Sequence, residues 1–110
     1  MAYISLTDRI KNVEAHVTTI LSFQDIDNLP LAVRSLLTDL KHQVIDARLT
    51  VRDYEYADTR ATQLAHVREG RELLDGLRQH IIKASEYNIF GPADVAQLSA
   101  QLDDIKTKLT

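Results

Sequence analysis

The chain has no cysteine, so its candidate chemistry rests on carboxylates, histidines and arginines. Asp39 and His42 stand three residues apart, as do His66 and Glu69. That spacing puts two metal ligands on one face of a helix, and bundles that hold paired metal ions combine such pairs with further inward carboxylates. Asp39 and His42 lie off the apolar seam Leu37–Leu40–Val44 and lack those partners. They read as solvated surface residues. Glu69 and Glu72 form an E-x-x-E, and Glu55 and Asp58 an E-x-x-D; both spacings can grip magnesium and both recur on any charged helix. No glycine-rich phosphate loop and no G-x-S-x-G turn is present. His16 and His80 stand beside apolar seams and read as packing or edge residues. No catalytic residue, metal or cofactor is assigned, and the chain is read as non-enzymatic.

The arginines carry more information. Of the 13 basic residues, six arginines fall between positions 48 and 78: Arg48, Arg52, Arg60, Arg68, Arg71 and Arg78. Tyr54 and Tyr56 lie among them, and arginine with tyrosine is the mixture of interface hot spots and of base-stacking surfaces. These eight residues form the candidate interaction surface. The same stretch holds Asp53, Glu55, Asp58, Glu69, Glu72 and Asp75, so its charges cancel, which equally suits a salt-bridged, solvated face. Ala57, Ala61 and Ala65 recur every fourth residue and could admit another helix closely.

The elements that would position these residues follow from periodicity. Leu6, Ile10, Val13, Val17 and Ile20 step by four and three, the spacing of one helix face. Ser5 or Thr7 can cap that helix, and "SFQDIDNLP" ends it, with Pro30 suited to the first turn of the next. Val33, Leu37, Leu40, Val44, Ala47, Val51 and Tyr54 continue the pattern, with Leu36 and Ile45 widening the stripe. A third stripe runs through Val67, Gly70, Leu74, Leu77, Ile81 and Ala84, broadened by Leu73 and Ile82. The second and third stripes are out of register, so the path changes between residues 55 and 70. A turn near 56–60, capped by Asp58 or Thr59, a break at Gly70, and one continuous helix all fit; the turn is favoured. In "EYNIFGPADVAQL", Gly91 can end a helix and Pro92 can start one, with Ile89 or Phe90 packing on its first turn. Val95, Leu98, Leu102, Ile105 and Leu109 complete a fourth stripe.

These stripes predict helices near 5–23, 30–56, 59–88 and 92–109, in an all-α, antiparallel, up-down-up-down four-helix bundle with longer middle helices. Residues 1–110 form a single domain of ordinary soluble composition. The tip of the middle pair, around 50–68, is expected to project. "MAYISLTDRIKN" does not read as a leader peptide, and no apolar run reaches membrane-spanning length. The absent cysteine fits a reducing compartment, and a cytoplasmic location is expected. A net charge of −3 disfavours nucleic acid as a partner.

"VIDARLTVRD" followed by "LLDGLRQHIIKASEYNIFGPADVAQL" resembles the four-helix-bundle proteins of ribosomal-RNA intervening sequences and the accessory variability determinant of diversity-generating retroelements. The resemblance spans roughly residues 30–109 and implies a ring-forming bundle, with Arg48, Arg52 and Arg78 as the residues that would meet nucleic acid. The retroelement proteins are strongly basic, whereas this chain is acidic. The E-x-x-E and E-x-x-D pairs are similar to the magnesium motifs of all-α nucleotide pyrophosphohydrolases, in reversed order. The leading expectation is an interaction or scaffolding protein that forms a homo-oligomer, with a protein partner of unknown identity. A nucleic-acid-binding accessory protein and a magnesium-dependent hydrolase are the alternatives.

Overall fold

Each of the four stripes becomes a helix in the computed structural model, which describes residues 5–110. Part of the leader-peptide reading therefore lies outside the described residues. Helix α1 spans Leu6–Ser22, α2 Leu31–Glu55, α3 Arg60–Ser85 and α4 Pro92–Lys108, with a short 3-10 turn at Ile26–Asn28. The middle helices hold 25 and 26 residues against 17 in each outer one. No strand occurs among the described residues.

The helix ends follow local chemistry. Ser5 caps α1 by accepting a bond from the Asp8 amide at 3.0 Å. Thr59 does the same for α3, accepting from the Thr62 amide at 3.1 Å, so the chain turns at 56–59. Gly70 breaks nothing, because α3 runs through it. A Cβ at Gly70 would come within 3.0 Å of the Leu109 side chain, so the missing methyl leaves room for the end of the chain. Helix α3 ends at Ser85, and the left-handed residue of the turn that closes it is Asn88 and not Gly91. Asn88 takes the left-handed conformation, φ 60°, with Asn88 N–H bonded to the Ser85 carbonyl and Ile89 N–H to the Ala84 carbonyl. That pair of bonds closes a helix C-terminus around one left-handed residue. Gly91 instead precedes the first turn of α4, which Pro92 opens. Ile89 and Phe90 are both buried at this junction.

Every helix packs on its neighbours in sequence, and α4 returns to α1, so the bundle closes as an antiparallel ring of four. The α2–α3 contact is the most extensive. The buried stripe of each helix meets in one core that includes Ile10, Leu40, Leu77 and Leu102, with Leu36, Val67 and Leu73 packed at its margin. Burying one such leucine contributes about 1.5–3 kcal/mol. Ile45 and Ile82, read as widening the core stripes, face outward instead, 39% and 36% exposed. Polar contacts cross the helix boundaries: the ion pairs Arg48–Glu14 at 2.8 Å, Arg78–Asp103 at 2.9 Å, Lys106–Asp75 at 2.8 Å and Arg9 with Asp104, and a hydrogen bond between the His16 ring and Asp94 at 3.0 Å. All are partly exposed and contribute little each, so they report helix alignment more than stability.

Candidate interaction surfaces

The end of the bundle that holds the α2–α3 turn is tied by two adjacent residues. The Glu55 carboxylate accepts from the Leu6 amide at 2.7 Å, the Thr7 amide at 3.1 Å and the Thr7 hydroxyl at 2.6 Å. A carboxylate suits this place, because free amides and the positive dipole end gather at a helix N-terminus. Burial pushes the Glu55 pKa up, but the bonds from the Thr7 side chain, the Leu6 and Thr7 amides and Ser5 together outweigh it and hold it below the usual value. Beside it, the Tyr54 hydroxyl lies 3.3 Å from the Lys108 carbonyl and 3.0 Å from the Thr110 carbonyl, at the end of α4. One residue of α2 therefore holds the start of α1, and its neighbour holds the end of α4.

This clasp redraws the projecting tip. Thr50, Val51 and Tyr54 are buried, so the α2 side does not project. On α3, residues 60–69 include no buried residue. The clasp also engages Glu55, one carboxylate of the E-x-x-D pair, with the start of α1. Glu55 turns to α1, while Glu72 pairs with Arg68 at 3.1 Å on open surface. Among the described residues no group of three or more histidines and carboxylates stands close enough to hold a metal ion. Asp39 and His42 are exposed on α2, and the ring of His80 meets the Gln43 side chain.

The eight candidate residues do not form one surface. Tyr54 belongs to the core, 7% exposed, and is withdrawn from any outer face. Arg48 reaches across to α1, and Arg78 to α4. Arg52 lies 3.4 Å from Asp53, Arg60 bonds Gln63, and Arg68 bonds Glu72. Arg71 is exposed on α3, and Tyr56 stands 70% exposed at the end of α2.

A different row of side chains emerges. Leu31, Ile45 and Tyr56 are exposed by 70%, 39% and 70%, and Leu49 is half-buried. At 100° per residue these positions share the side of α2 directly opposite its core stripe. The row escapes a search for apolar seams because serine, threonine, histidine and arginine fill its gaps; its signal is the seven-residue step Leu31, Thr38, Ile45. Phe23, 81% exposed, and Leu64, 50% exposed, lie elsewhere.

No helix among the described residues is long and apolar enough to cross a membrane. No protein-family model, curated protein or solved structure matches the chain.

Proposed function

We propose that the protein is a non-enzymatic helical-bundle interaction protein that works by self-association. The observation behind this reading is the row of Leu31, Ile45 and Tyr56 along the outside of α2, large apolar side chains left in water on a helix whose other side is fully packed. Exposed apolar surface rimmed by polar residues marks a contact surface where it is contiguous, and on this side the half-buried Leu49 lies between Ile45 and Tyr56. A nucleic-acid role through the arginines has less behind it, because Arg48 and Arg78 are engaged between helices and the net charge is −3. The test is the mass in solution by light scattering, from about 10 µM to about 1 mM to span weak association. A mass above the 12.5 kDa of one chain is expected; a single-chain mass throughout that range overturns the reading.

A further inference from the structure

The outer side of α2 carries a second heptad pattern, and its charges identify what covers it. Leu31, Thr38 and Ile45 recur at seven-residue steps, and Leu49 and Tyr56 follow four residues after seam positions. One edge of this seam holds Arg34, Lys41 and Arg48, again seven apart. The other edge holds Asp39, Asp46 and Asp53, also seven apart. From residue 34 to residue 53 one edge is basic and the other acidic; at the ends of α2 the series stop at Ala32 and at Glu55, whose carboxylate is turned to the start of α1.

In a two-helix coiled coil these edges decide orientation. Two antiparallel copies related by a two-fold axis set each edge against itself, which would face the basic edge with a basic edge. Two parallel copies set each edge against the opposite one, pairing a residue with the partner residue five positions further on. Here those pairs are Arg34 with Asp39, Lys41 with Asp46 and Arg48 with Asp53 of the second copy, each of opposite sign. Within one chain the same residues cannot meet, because five positions turn the helix by about 140° away from each other.

The charges are also available. Arg34, Asp39, Lys41 and Asp46 form no ion pair with another described residue. Arg48 and Asp53 already have contacts, at 2.8 Å to Glu14 and 3.4 Å to Arg52, so the first two pairs carry most of the recognition. Asp39, Lys41 and Asp46 are exposed, and Ile45 keeps 39% of its surface open, so the described residues leave the middle of the face open in part.

We infer that the occupant is a second copy of this chain, docked through α2 as a parallel, two-fold helix pair with Ile45 and Leu49 at its apolar centre. This rests on the self-association proposed above and names its geometry. Ser35, Thr38, His42 and Arg52 make the seam more polar than a leucine seam, so the dimer is a weak and reversible one.

Charge exchange tests it. One variant carries Arg34→Glu with Lys41→Glu, making both edges acidic; the other carries Asp39→Lys with Asp46→Lys, making both basic. Each alone is expected to give a single-chain mass near 12.5 kDa, and an equimolar mixture about twice that, with helical content by circular dichroism unchanged. Orientation is read separately by Thr38→Cys and Ile45→Cys in the cysteine-free chain. Under mild oxidation both are expected to cross-link to their own kind, since like positions face each other along a parallel pair. A wild-type oligomer whose mass ignores the charge variants, a mixture that stays single-chain, or cross-links missing at both cysteines overturns this geometry and leaves self-association standing. A single-chain wild type overturns both.

Discussion

On its inward side α2 carries Val33, Leu37, Leu40, Val44, Ala47 and Val51, all buried and none charged. On its outward side Leu31, Ile45 and Tyr56 stand exposed among polar residues, between an edge of basic residues and an edge of aspartates. The charges at the margin of the inner seam, Arg48 to Glu14 and Glu55 to the start of α1, already have partners within the chain. On the proposed reading the outer seam takes an untethered partner, and its charges select it. An apolar stripe alone drives burial without direction, whereas ordered charges along its edges set which helix docks and which way it runs.

The sharpest way to separate the two sides is to truncate the inner one. Leu40→Ala removes a side chain that is 0% exposed and should lower unfolding stability by about 2–5 kcal/mol, read by urea denaturation. A change below ~1 kcal/mol would mean that the inner side is not packed as described.

The clasp at the end of the inner side comes next. Glu55→Ala removes three hydrogen bonds to the start of α1 and should cost ~1–3 kcal/mol, whereas the exposed Glu69→Ala should stay within ~0.5 kcal/mol. Glu55 also gives a pH dependence with a definite sign. Its folded pKa lies below its unfolded one, so its contribution is complete above the unfolded value and disappears as pH falls through the folded value. Asp104 is shifted in the same direction, first by its bond to Lys108 and then by Arg9 despite some burial. The difference in stability between wild type and Glu55→Ala should therefore shrink on acidification. A difference that persists in strong acid would contradict the clasp.

Thr59→Ala, at the turn that feeds α3, is expected to cost ~1 kcal/mol through the lost cap, seen as a lower thermal midpoint.

Much of this architecture is legible in the residue spacing. The unbroken steps from Val33 to Tyr54 and the mismatch with the stripe starting at Val67 locate both the second helix and the turn after it. What is not legible depends on partners distant in sequence. Glu55 reads as half of a carboxylate pair until its contact with Leu6 and Thr7 brings together positions 49 and 48 residues apart. Tyr54 reads as both seam and surface, and only its bonds to the carbonyls at the chain's end decide for the seam. Ile45 reads as core because it adjoins Val44; the placement of α1 and α3 against α2 turns it outward. Closing α3 around Asn88 rather than Gly91 is a local choice, since asparagine, with its short polar side chain, is one of the few residues besides glycine that enter the left-handed conformation.

The two sides of α2 are compared most directly by Ile45→Asp, with mass by light scattering and unfolding measured on the same sample. The partly open position predicts a loss of no more than about 2 kcal/mol for the single chain, short of unfolding it, together with a fall in mass to 12.5 kDa under conditions where the wild type is about twice as heavy. An unchanged mass, or a variant that unfolds, would contradict an outer face of α2 that serves association and not the core.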